Sequence, residues 1–131
     1  MTPFAAPALA LAAALAGCAA AHRAPEPPPA APPRTFTLAP GERIRLDATA
    51  ALRYLGVRAD SRCPPQVQCV HAGSAQVALR LERAGGDADA TLETPRAPVA
   101  SAAGWRIALL RLEFGPKPAA TLRVERDASG R

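Results

Sequence analysis

Apolar and polar residues alternate with a period of two along most of the chain after Phe36. That period predicts short strands, each burying one face. Phe36 and Leu38 alternate with Thr35 and Thr37. Pro40-Gly41 marks a turn. Ile44 and Leu46 then point inward, and Arg43 and Arg45 outward. Leu52 and Tyr54 share a face, but Val57 comes three residues further on. Gly56 stands at this change of phase and predicts a bulge. The cleanest alternation covers residues 75–83. Ala75, Val77, Leu79 and Leu81 face one way, and Gln76, Arg80 and Glu82 the other. This strand is expected inside a sheet. Ala84-Gly85-Gly86-Asp87 reads as a hairpin turn, and residues 90–94 as a short edge strand closed by Pro95 and Pro98. Residues 105–114 form a longer strand with apolar residues on both faces between Ile107 and Leu112. Either both faces are buried or a bulge shifts the phase. Pro116 and Pro118 break it, and Leu122 and Val124 face inward in a last strand. About seven short strands without an amphipathic helix predict an all-β fold. It would be a small antiparallel β-sandwich or a partly open barrel.

The chain before these strands has another character. Residues 2–17 are apolar and rich in alanine, and they end Leu15-Ala16-Gly17-Cys18. The run is too short to span a bilayer and reads as a signal peptide. Its last four residues resemble a bacterial lipobox. There the cysteine becomes the new amino terminus and its sulfur takes lipid. No Lys or Arg precedes the apolar run, which departs from the usual leader. Cys18 is nevertheless the odd cysteine left after the other two are paired, and lipidation is the better account of it. Several acyl chains would make the anchor stable. Ala19 follows Cys18. It is not the aspartate that resembles an inner-membrane retention signal, so the outer membrane, facing the periplasm, is expected. Pro25, Pro27, Pro28, Pro29, Pro32 and Pro33 then favour an extended tether. The organisation expected is a signal peptide over residues 1–17, a lipidated cysteine and tether over 18–34, one β domain over 35–127, and a polar tail over 128–131.

Residues 60–73 carry the candidate chemistry. They read Asp-Ser-Arg-Cys-Pro-Pro-Gln-Val-Gln-Cys-Val-His-Ala-Gly. Asp60 and Ser61 suit the start of a turn through local hydrogen bonds. Paired thiols in an exported chain are usually bridged, so a Cys63–Cys69 disulfide is expected between consecutive strands. The competing arrangement is a metal site, with Cys63, Cys69 and His71 as ligands. In a strand, Cys69 and His71 would share a face. Three ligands and an open position would suit catalytic zinc. No Cys-x-x-Cys spacing is present, no fourth ligand is evident, and His22 lies in the tether. The disulfide is the stronger reading, with no metal or other cofactor.

The same stretch resembles a family of small exported bacterial proteins, many of them lipoproteins. They carry Asp-Ser-Arg-Cys-Pro, a few residues, and then Cys-Val/Ile-Trp-Ala-Gly leading into a strand. The matching residues are Asp60-Ser61-Arg62-Cys63-Pro64, Cys69-Val70 and Ala72-Gly73. His71 stands where the family often has Trp. Trp105-Arg106-Ile107-Ala108-Leu109 and Gly115-Pro116-Lys117-Pro118 look like the family's late strand and its proline turn. The resemblance covers most of the chain after Phe36. It implies a fold and a location in the envelope, and it implies no reaction.

Composition narrows the function classes. At 131 residues the chain has room for one domain. Fifteen prolines and 4% aromatic residues suit short strands, many turns and a thin core. The net charge of +5 comes almost entirely from arginine. Such a balance can favour polyanions. An exported chain without an aromatic-basic stripe is not expected to bind nucleic acid. Gly-x-Ser-x-Gly, His-Glu-x-x-His and a Gly-rich phosphate loop are all missing. Asp87 and Asp89 lack the further oxygen ligands of an EF-hand. The expectation is a monomeric, non-catalytic lipoprotein. It would be held to the membrane through Cys18 and would bind or protect another envelope component, a protein or a polyanion. The alternative is a periplasmic metal-binding or hydrolytic protein centred on Cys63, Cys69 and His71.

Overall fold

A computed structural model describes residues 3, 24–26, 29 and 31–128. Cys18, His22 and, apart from residue 3, the expected signal peptide over 1–17 lie outside the described residues. Among the described residues eight strands form, β1 (Arg34–Leu38), β2 (Arg43–Arg45), β3 (Ala50–Asp60), β4 (Ala75–Arg83), β5 (Ala88–Thr94), β6 (Val99–Ala102), β7 (Trp105–Leu112) and β8 (Ala120–Arg126). They make two antiparallel four-stranded sheets, ordered β1-β8-β7-β6 and β2-β3-β4-β5. The sheets do not close into a barrel, so the sandwich is the correct member of the expected pair.

Among the described residues the strands number eight, against the expected about seven. The added strand is β6, which pairs Val99 with Ala108 and Ala102 with Trp105. Its residues, Val-Ala-Ser-Ala, are too small to print a strong alternation. Pro95 and Pro98 also make the segment read as a simple break. Pro98 instead lies just outside the strand, where its missing N–H removes no ladder bond.

β4 lies between β3 and β5, as its pattern predicts. Ala75, Val77, Leu79 and Leu81 are fully buried. They meet Ile107, Leu122 and Val124 from the facing sheet in one core cluster. Phase shifts in the sequence appear as irregular pairing. Tyr54 pairs with Leu79 and Gly56 with Ala78, so Leu55 is the extra residue at that bulge. In β7 the partner steps from Leu109↔Leu122 to Arg111↔Thr121. Leu110 is left over and 55% exposed. Of the two accounts of β7, the bulge holds.

The connections divide between two ends of the sandwich. Residues 39–42, 61–74, 95–98 and 113–119 cluster at one end. The turns over 46–49, 84–87 and 103–104 lie at the other, where the chain also enters β1 and leaves β8. The chain therefore enters the domain at the end opposite the cysteine loop.

Candidate functional site

Strands β3 and β4 are joined by residues 61–74, which contain no strand. The condition under which Cys69 and His71 would share a face, a strand through both, is therefore not met. Pro64 and Pro65 withhold two N–H donors, and the segment turns back on itself through Val67 N–H to Pro64 C=O at 3.1 Å. Cys63 and Cys69 are joined in a disulfide with their Cα atoms 5.8 Å apart. The loop therefore bridges consecutive strands as expected. Both sulfurs are taken up by this bond, which leaves His71 without the two thiolates a metal site there would need. Among the described residues, no group of three or more His, Cys, Asp or Glu side chains could hold a metal ion.

Polar ties fasten the base of the loop. The Ser61 N–H donates to Ser74 C=O at 2.7 Å, and the Ser74 N–H donates to Ser61 Oγ at 3.1 Å. The Cys63 N–H donates to Ala72 C=O at 3.0 Å. Gly73 makes the approach of these two arms feasible. Its φ is +70°, and a Cβ there would lie 1.8 Å from the Ser61 carbonyl oxygen. Any side chain at this position would need both a left-handed backbone and a displaced arm.

Arg62 fastens the loop to the opposite sheet. Nη1 donates to Leu112 C=O and Nη2 to Glu113 C=O, both at 2.7 Å, where β7 ends. Its guanidinium lies 4.1 Å from the centre of the Phe114 ring. Asp60 accepts from Arg62 Nε at 2.9 Å, from Nη2 at 2.7 Å and from the Arg62 N–H at 3.1 Å. Such a planar fork suits arginine and not lysine. The side-chain bonds from Arg62 hold the Asp60 carboxyl below its ordinary value. The Arg62 N–H and guanidinium charge add to this, while burial opposes it. Tyr54 makes a second tie between the sheets. It is fully buried, and its hydroxyl donates to Pro118 C=O at 2.8 Å. Burial raises the Tyr54 hydroxyl above its ordinary value.

These contacts give most of the polar and cysteine residues of 60–73 a mechanical role. Asp60 orients Arg62, Ser61 and Gly73 close the base, and the two cysteines close the tip. The sequence places Asp60 and Ser61 at a turn but shows no role for Arg62. Its acceptors are backbone carbonyls about fifty residues away, and no local pattern announces them.

The part held in place is not core. Residues 64–72 are exposed without interruption. Val70 is 94% exposed and Val67 54%. From Cys63 to Ala75 the chain carries no Asp, Glu, Lys or Arg, although charged residues are 21% of the whole. Gln66, Gln68 and His71 supply the donors and acceptors of this tip. Phe114, 46% exposed beneath Arg62, extends the apolar surface toward β7.

The opposite end has a cleft of about 310 Å³. Ala31, Pro32, Leu46, Trp105 and Val124 give it apolar walls, and Arg34, Asp47, Glu125 and Arg126 add charges. Arg126 lies 4.0 Å over the Trp105 ring and pairs with Asp47. Hydrogen bonds from the Thr49 and Ala50 N–H groups and the Thr49 hydroxyl, with the nearby Arg126 charge, hold the Asp47 carboxyl below its ordinary value against some desolvation; the Thr49 N–H contributes most. No family model, no curated protein and no solved structure matches the chain.

Proposed function

We propose that this is a non-catalytic, lipid-anchored protein of the bacterial envelope whose cysteine loop binds another envelope component. One observation carries the binding reading. Nine consecutive exposed residues are fixed by a disulfide, a paired-serine base and an arginine that crosses to the other sheet. None of the nine adds to the core. Order in a segment that buries nothing is what a preorganised recognition surface requires, because it lowers the entropy lost on binding.

The anchor reading rests on the sequence before the domain. A short apolar run ends in a lipobox-like Leu15-Ala16-Gly17-Cys18, and a proline-rich tether follows. The resemblance of the loop motif to exported bacterial proteins agrees with it. Since the tether enters at the far end of the sandwich, the cysteine loop is the end free to point away from the bilayer.

Two measurements test the proposal. Cys18→Ser should release the protein from the membrane fraction or leave the leader uncleaved. A variant that still sediments with membranes and carries a mature lipid mass would refute the anchor. A photo-crosslinking side chain placed at Val70 in the cells that make the protein should give an adduct of defined mass. No adduct of any kind, with protein, lipid or glycan, would refute the binding role.

A further inference from the structure

From the binding role proposed for the loop, we infer the chemistry of its partner: a different envelope protein with an uncharged, concave apolar socket that receives Val67 and Val70. The loop is a narrow projection. A standard protein interface uses about 20–30 residues a side, and residues 64–72 provide nine. So small a footprint needs a pocket that surrounds it, because only enclosed apolar groups lose most of their water contact. Val70 and Val67 are the anchors, with 94% and 54% of their surfaces uncovered. Gln66, Gln68 and His71 lie beside them and match a polar rim.

Charge complementarity sets the character of the socket. Between Cys63 and Ala75 there is no Asp, Glu, Lys or Arg to meet an acidic or basic partner. At the base, Asp60 and Arg62 neutralise each other. A charged group in the socket would lose water and gain no counter-charge from the loop.

The same chemistry weighs against the other occupants. Loops and helices that enter anionic bilayers set cations beside their apolar residues; residues 63–75 carry no Lys or Arg, and Arg96 and Lys117 belong to neighbouring connections of that end. The tether also enters at the opposite end. A second copy could offer the cleft beside Trp105, but Arg34, Asp47, Glu125 and Arg126 stand in its walls.

The test uses the full-length protein in its own cells, with the photo-crosslinker at Val70. The result expected is one discrete, protease-sensitive adduct with a protein other than this chain. Its yield should persist in about 0.5 M salt, where screening removes most charge attraction. Val67→Asp should lower the yield about tenfold or more, because its carboxylate would enter an apolar site. Thr91→Asp, on an exposed face of β5, should leave the yield unchanged. Circular dichroism melting of both variants checks that each is folded. An adduct with lipid, an adduct with a second copy, or a yield that collapses in salt would overturn the inference while leaving the binding role standing. So would a Val67→Asp yield equal to the parent's. The complete absence of adducts would remove both.

Discussion

The cysteine loop and strand β4 are consecutive in the chain, yet their order comes from opposite sources. In β4 every second side chain from Ala75 to Leu81 is fully buried, and the strand is held on both sides by neighbours. Apolar surface removed from water dominates its stability. In residues 64–72 no side chain is buried, and the backbone is held by one disulfide and a few polar ties at its base. Order that rests on burial resists changes to single surface groups. Order that rests on a few bonds fails when one bond is removed. The loop should therefore loosen under conditions that leave β4 intact, whereas damage to β4 should unfold both.

The largest effect should come from β4. Leu79 is fully buried opposite Tyr54 in the register. Leu79→Ala should cost about 2–5 kcal/mol, through lost transfer free energy and the cavity left behind. Denaturant midpoints check this. A cost near zero would mean that the faces of β4 are inverted.

Breaking the disulfide comes next. For a loop this short, the chain-entropy model gives a stabilisation of roughly 2 kcal/mol. Pro64 and Pro65 already restrict the unfolded segment, so a loss of about 1–3 kcal/mol on reduction is expected. Non-reducing mass spectrometry should find the oxidised pair, and chelator alone should leave the melting temperature unchanged. Two free thiols together with a chelator-sensitive melt would instead support a metal site at Cys63, Cys69 and His71.

The contrast also explains which features could be read before the fold was known. β4 was legible because burial on one face leaves a period of two in the sequence, from Ala75 to Leu81. The bulge at Gly56 was legible for the same reason, as a break in that period. The cysteine pairing was legible because two thiols so close in the sequence have few other partners. The reach of Arg62 to Leu112 and Glu113 was not, because it depends on how two sheets stack. β6 escaped notice because Val99, Ala100, Ser101 and Ala102 give little contrast between faces. The exposure of Val70 was also hidden, since an isolated valine in sequence looks like core.

Acid should separate the two regions further. Hydrogen bonds from the Arg62 guanidinium lower the folded-state value of Asp60. The stabilisation from this pair is fully present above the unfolded value of about 3.9. It is lost as the pH falls through the depressed folded value. Hydrogen-exchange protection in residues 60–74 should thus fall on acidification below about pH 4, before protection in β4 falls. Asp60→Asn should already show the weakened protection at neutral pH and lose that part of the pH response. Simultaneous loss in the parent would mean that the loop and β4 open as one unit. Asp47, Glu82 and Asp89 are also held low, so a global melt reports their sum, while exchange at residues 60–74 isolates Asp60.

The smallest effect is expected at Arg80, whose comparison with Arg62 is the closest test of the distinction. Both arginines pair with an aspartate, Arg62 with Asp60 and Arg80 with Asp89, each at 2.7 Å. Their surroundings differ. The Arg62 side chain is 12% exposed and also donates to two backbone carbonyls of the other sheet. Arg80 is 41% exposed on the outer face of β4, and its hydrogen bonds go to Asp89 on the neighbouring strand. An exposed pair is weakened by solvent and salt, and its long side chains lose freedom when they meet. Arg80→Ala should leave the denaturant midpoint close to the parent's and the exchange pattern of the loop unchanged. Arg62→Ala should strand two carbonyls at the end of β7 and raise exchange throughout residues 60–74. Equal effects of the two substitutions would show that the loop is ordered by charge pairing in general, and that the bonds from Arg62 across the sandwich add nothing of their own.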